Sequence, residues 1–216
     1  MKFLKLKLDQ KVGVSEIAIE NCRRSAPIMS GIAIYKYDEN RLTKGDEIIT
    51  RIKTLTLQWN AAQSQKLQAT LELKNTARDF KAVYYKTRRI AYLLFKNQEP
   101  QRRALALGGR KKQKLIQWLE EASQFYTNAL ADPEARRQFP GFGITAKSLN
   151  DEKNLLSKVE KAMANQEKKA AEAMEITRLR KLAIKELDQF MSELFTILRL
   201  AMGKSQLLEA VGIVVK

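Results

Sequence analysis

Histidine is absent from the 216 residues, and cysteine occurs once, at Cys22. Without histidine, the chain lacks both the commonest acid–base side chain and the commonest metal ligand. A single cysteine rules out an internal disulfide and a thiolate zinc site within one chain, and it points to a reducing compartment. The Glu-x-x-His pairs of di-iron bundles cannot be built either. Proline (4) and glycine (9) are scarce, fall mostly between periodic segments, and strand-like stretches are nearly missing, which indicates an all-α protein. No run approaches the roughly 18 apolar residues of a membrane span. The N-terminal MKFLKLKLDQK lacks the apolar core of a signal peptide. The expectation is a cytoplasmic protein with no integral membrane association.

What is present is periodicity. Stepping alternately by four and three residues from Ile48 passes through Ile52, Leu55, Trp59, Ala62, Lys66, Ala69, Leu73, Thr76, Phe80, Val83, Thr87 and Ile90 to Leu94, without proline or glycine. Such a seven-residue repeat keeps one stripe of a long helix against a partner. Over this length the helix would extend roughly 70 Å, so it needs an equally long neighbour, and 149–202 supplies one. The expected fold is two long antiparallel-type helices with shorter flanking helices, bundle-like or coiled-coil-like.

In chain order, residues 1–11 suit a short strand or a frayed helix end. Ser15 is a candidate N-cap for a helix to about Tyr35, kinked at Pro27 and Gly31. Asp38 can cap the first long helix, which should stop near Asn97 because Pro100 follows. A short helix, 101–107, would close on Gly108-Gly109. A helix over 111–130 presents Leu115, Leu119, Ala122, Tyr126 and Leu130 on one face, and Asp132-Pro133 can start a further turn. Thr145 or Ser148 begins the second long helix, which ends at Gly203, and a last short helix over 205–211 precedes the apolar tail 213–215.

The two halves share this order of elements. Aligning 37–52 with 144–159 pairs Leu42 with Leu149, Ile48 with Leu155, Ile49 with Leu156 and Ile52 with Val159. The reading is a tandem duplication, with repeats 1–108 and 109–216 packed as one elongated unit. On this reading each medium helix covers the front of its own long helix. The rear halves, 63–97 and 171–202, would then meet each other and call for a second chain, so a homo-oligomer is expected.

Chemistry-bearing motifs are few. Met202-Gly203-Lys204-Ser205 resembles the end of a phosphate loop, but Leu198 stands where the first glycine is required. Glu120-Glu121 and Asp151-Glu152 are adjacent on a helix, do not face each other and read as solvated carboxylates, Asp151 and Glu152 also suiting a helix N-terminus. No catalytic residue, metal site or cofactor is expected, and the chain reads as a non-enzyme.

Charge is the one local signal. Forty basic residues against 24 acidic give +16, which favours nucleic acid or an acidic protein as partner. From Lys81 to Lys114 eleven basic residues face Glu99 alone, with Tyr84, Tyr85 and Tyr92 interleaved. Within this stretch Lys86, Arg88, Arg89, Arg102, Arg103, Arg110, Lys111 and Lys112 are the candidate anion- or nucleic-acid-binding residues, with tyrosines to stack on bases. The alternative is a solvated or subunit-facing surface.

The ending FMSELFTILRLAMGKSQLLEAVGI (190–213) and the segment LGGRKKQKLIQWLEEASQFYTNAL (107–130) resemble a set of uncharacterised all-helical bacterial proteins that close on a QLLEALGI-like motif, Val211 standing for the usual leucine. The resemblance implies this helical layout and a bacterial origin, and no activity. Two functions are expected from sequence: a helical scaffold or self-assembling structural subunit, and, as the alternative, a nucleic-acid-binding accessory protein using 81–114.

Overall fold

A computed structural model describes residues 3–108, 112, 114–203 and 205–210. Arg110 and Lys111, Gly109 of the expected glycine cap, and the tail 211–216 lie outside the described residues. Every regular element among the described residues is helical, with no strand. A 3-10 turn at Phe3–Lys5 leads into α1 (Leu8–Arg24) and α2 (Ala26–Ala33). The first long helix, α3, is Glu39–Leu94, followed by α4 (Glu99–Ala104), α5 (Leu115–Ala131) and α6 (Pro133–Gln138). A 3-10 turn over Phe139–Phe142 precedes the second long helix, α7 (Ala146–Met202), and α8 (Leu207–Ala210) ends the described fold.

Helix starts follow side-chain caps. Asp38 Oδ1 accepts from the Arg41 amide at 3.0 Å, and Asp132 Oδ1 from the Ala135 amide at 2.8 Å. Thr145 and Ser148 cap reciprocally, the Thr145 amide donating to Ser148 Oγ (2.9 Å) and the Ser148 amide to Thr145 Oγ1 (3.1 Å). Gly203, at φ 60°, ends α7 as expected. Ser15 is not a cap: it lies buried inside α1, its hydroxyl returned to the Lys11 carbonyl at 2.7 Å. The helix starts seven residues earlier because the apolar positions Leu8 and Val12 already pack on the core. After α4 the left-handed residue is Ala106, at φ 50°, rather than a glycine.

The chain forms two compact units, and each draws on both long helices. Unit 1 comprises 1–63 and 172–216; unit 2 is 64–171. In unit 1, Ile19, Ile28 and Ile32 from α1 and α2 pack on Leu42, Ile49 and Ile52 from the front of α3 and on Leu187, Leu194 and Leu198 from the rear of α7. Cross-helix bonds fix the direction here. Arg41 pairs with Glu193, Arg51 with Glu186, Arg180 Nε with Thr56 Oγ1 (3.1 Å) and Trp59 Nε1 with Thr177 Oγ1 (3.1 Å). Numbers rise on α3 as they fall on α7, so the pair is antiparallel. Lys11, almost wholly buried, reaches Asp188 at 2.6 Å.

Unit 2 has an aromatic core. Phe80 and Tyr84 from the rear of α3, with Phe95 just past its end, meet Trp118, Phe125 and Tyr126 of α5 and Leu149, Leu156 and Val159 from the front of α7. Phe80 lies 5.3 Å from Trp118, and Tyr84 packs edge-on to Phe125 at 5.7 Å, between ring centroids.

The rear halves of the long helices therefore do not partner each other as expected. Each packs on the front of the opposite long helix, because an antiparallel arrangement brings the medium helix, one front and one rear to a single core. The compact units accordingly cut across the segments 1–108 and 109–216. All fourteen stripe positions from Ile48 to Leu94 are buried or half-buried. Toward the rear the best-buried positions step on by one residue, from Val83, Ile90 and Leu94 to Tyr84, Ala91 and Phe95.

Gly45 and Gly13 test this packing in opposite directions. A Cβ on Gly45 would sit 2.6 Å from the Phe190 ring and 2.7 Å from Ile19 Cδ1, both buried, whereas one on Gly13 would meet nothing within 4 Å. Overpacking costs about 1–3 kcal/mol and outweighs the gain of about 0.5–1 kcal/mol from replacing a helical glycine. In urea titrations Gly45→Ala should lower the unfolding midpoint and Gly13→Ala should raise it.

Candidate nucleic-acid interface

The net charge is unevenly divided. Unit 2 holds 22 basic and 11 acidic residues, a net +11; unit 1 holds 18 and 13, a net +5. Within unit 2, Lys74, Arg78, Lys81, Tyr85, Arg89 and Tyr92 follow one another along α3 at steps of 4, 3, 4, 4 and 3 residues, and Lys96 lies in the turn just past its end. That mean step of about 3.6 residues keeps the six in one stripe on a straight helix. Lys74, Arg78, Lys81, Arg89, Tyr92 and Lys96 are exposed, and Tyr85 is half-buried. Cations and rings are already in register: Lys81 Nζ stands 5.8 Å from the Tyr85 ring centre, and the Arg102 guanidinium 5.8 Å from that of Tyr92.

Two grooves lie along this stripe. One, of about 840 Å³, is lined by Tyr85, Lys86, Arg88, Arg89, Ile90, Tyr92 and Leu93. The other, of about 370 Å³, is lined by Lys74, Ala77, Arg78, Lys81, Lys112, Leu115 and Trp118.

The sequence-derived residues separate by environment. Lys86, Arg89, Arg103 and Lys112 are exposed, though Arg103 Nε is bonded to Glu99 at 2.9 Å. Arg102 is half-buried and shares Glu99 at 3.3 Å. Arg88 is committed inside the unit. Its side chain is 15% exposed, pairs with Glu121 at 3.1 Å and donates through Nη2 to the Ala106 carbonyl at 3.0 Å. Together with Asn128, whose Nδ2 donates to the Ala104 carbonyl, it satisfies carbonyls left open at the end of α4. Tyr84 is likewise a core residue, its hydroxyl donating to Glu121 at 3.3 Å. Lys74 and Arg78 lie N-terminal to the cluster read from sequence. The signal for them was the 4–3–4 spacing continued backwards from Lys81.

Glu152 is the other notable charge. Its carboxylate accepts from Thr87 Oγ1 (2.9 Å) and from the Tyr126 hydroxyl (2.8 Å). Burial raises its pKa above the ordinary 4.5, outweighing those two donors and nearby Lys86. Burial, reinforced by Glu121 and Glu152, also raises the Tyr84 and Tyr126 hydroxyls, which stay protonated as donors. In unit 1, burial pushes the Cys22 thiol up to about 12, so it is inert as a nucleophile. Among the described residues no cluster of acidic, histidine or cysteine side chains is arranged to hold a metal ion, and no helix is long and apolar enough to cross a membrane.

No protein-family model matches the chain, and neither a curated protein nor a solved structure matches it significantly.

Arg88 and its neighbour Arg89 should behave oppositely. Arg88→Ala leaves Glu121 buried without its cation and should cost about 3 kcal/mol of stability, whereas Arg89→Ala should stay within about 0.5 kcal/mol; denaturant titration of the two variants checks this. Glu152 should leave a pH signature. A carboxyl raised in the folded state contributes stability that is complete below its unfolded value and is lost as pH rises through its folded value. Glu152→Gln should therefore gain stability relative to the parent as the buffer is taken from about pH 4 to about pH 7. Parallel curves for the two proteins would contradict this.

Proposed function

We propose that the chain is a non-enzymatic helical module that binds nucleic acid through the basic surface of unit 2. The observation that carries this reading is the stripe from Lys74 to Tyr92, where exposed cations are interleaved with Tyr85 and Tyr92 on one side of α3, with exposed Lys96 just past its end. Phosphates are held by Lys and Arg without regard to sequence, and aromatic rings accept the face of any base. Lys86, Arg89 and Lys112 belong to the surface; Arg88 supports it from within by fixing the end of α4 and its Glu121 partner. Arg102 and Arg103, tied to Glu99, add to its edge. The setting proposed is cytoplasmic and bacterial.

The scaffold reading keeps one supporting observation. Leu67 and Leu71, one turn apart on α3, are 62% and 50% exposed, so unit 2 presents apolar surface to solvent. The stripe that prompted the expectation of an oligomer is occupied within the chain, so a homo-oligomer would need a surface of this kind. A tandem duplication is also proposed. In both units a medium helix, the front of one long helix and the rear of the other build the core, and the paired positions Leu42 and Leu149, Ile49 and Leu156, and Ile52 and Val159 are all buried.

Binding to single- and double-stranded DNA and RNA should weaken steeply between roughly 50 and 200 mM salt. Reversing Lys86, Arg89 and Lys96 to glutamate should flatten the slope of log K against log salt by about three units while leaving the fold and particle mass unchanged. Salt-independent binding, or none, would overturn the proposal. If the triple variant instead changes the mass in light scattering, the surface serves assembly.

A further inference from the structure

The smaller groove has the two kinds of wall that a nucleotide requires. Lys74, Arg78 and Lys81 occupy successive turns of α3 along one edge, and Lys112 contributes a fourth cation. Arg78 is also bonded to the adjacent Asp79 at 3.1 Å, on an exposed and easily exchanged pair. The remaining lining is apolar, from Ala77, Leu115 and the ring of Trp118. Trp118 is 5% exposed, and its Nε1 has no hydrogen-bond acceptor among the described residues. A buried donor left open in this way costs about 1–3 kcal/mol. At about 370 Å³ the groove falls within the size range of small-molecule sites.

Resting on the nucleic-acid reading above, we infer that this groove holds one nucleotide of a single strand. The base lies against Ala77, Leu115 and Trp118, and the neighbouring phosphates meet the cations of α3 and Lys112. A paired duplex cannot enter in this way, because its base faces are covered by their neighbours. The strand then continues along α3 toward Tyr85 and Tyr92, the next rings in the same stripe.

Trp118 reports on the site directly. With Trp59→Phe it is the only tryptophan in the chain, and its emission can be followed in the full-length protein at low salt. Single-stranded oligothymidylate should quench it, and a duplex of equal length should not. Lys74→Gln with Lys81→Gln, surface changes that circular dichroism should find folded, should lower single-strand affinity about tenfold and remove the quench. The inference is overturned if the single strand binds with Trp118 emission unchanged, if the quench survives the double substitution at full affinity, or if the duplex quenches equally. The first of these results leaves the wider basic surface standing as a binding site. Absence of binding to any nucleic acid defeats both readings.

Discussion

A long apolar stripe on a helix has to be covered along its whole length, and that requirement shapes every other element of this chain. Neither α1–α2 nor α5 is long enough to cover α3 or α7 alone. The antiparallel arrangement meets the need by dividing the work: the medium helix of each unit packs with the front of one long helix and the rear of the other. Three helices around one core bury more apolar surface per residue than a pair can. The Arg41–Glu193, Arg51–Glu186 and Trp59–Thr177 pairs hold the register at the margin of the unit 1 core.

The two units meet this requirement with different chemistry. Unit 1 is filled mainly with isoleucine and leucine and admits one nearly buried cation, Lys11, with Asp188 opposite. Unit 2 is filled with rings, and their hydroxyls need partners when buried. Glu121 and Glu152 supply these, and Arg88 in turn balances Glu121. The surplus of positive charge in unit 2 is therefore carried outside the core by lysines and arginines that the packing does not use. That separation leaves exposed cations along the α3 stripe, the feature from which the proposed nucleic-acid reading starts.

Much of this was legible in the sequence where a local rule applies. Asp38, Asp132 and the Thr145–Ser148 pair start helices because each offers a side-chain oxygen to an otherwise unbonded amide. Gly203 stops α7 because a residue without Cβ takes the left-handed conformation freely. The seven-residue stripe identified the buried face of α3 at its front and fell within one residue of the best-buried positions toward its rear. What escaped was non-local. Ser15 has the side chain of a cap, yet the packing of Leu8 and Val12 drew the helix past it. Ala106 takes the left-handed turn because Arg88 and Asn128, distant in sequence, hold the carbonyls around it. The partner of each rear half depends on the relative direction of α3 and α7, which no spacing encodes. Arg88 and Arg89 are neighbours of one type, and only the 100° turn between them sends the first inward and the second to solvent.

The antiparallel pairing of α3 and α7 within one chain is the claim on which the rest stands. Cysteines placed at Arg51 and Glu186, both at the surface of unit 1, test it through a short bifunctional maleimide, Cys22 being buried and unreactive. The account predicts a cross-link inside a single chain, its yield unaffected by dilution or by mixing with unlabelled protein. Cross-linked dimers whose yield falls on dilution, or no cross-link at all, would show that the long helices find their partners elsewhere.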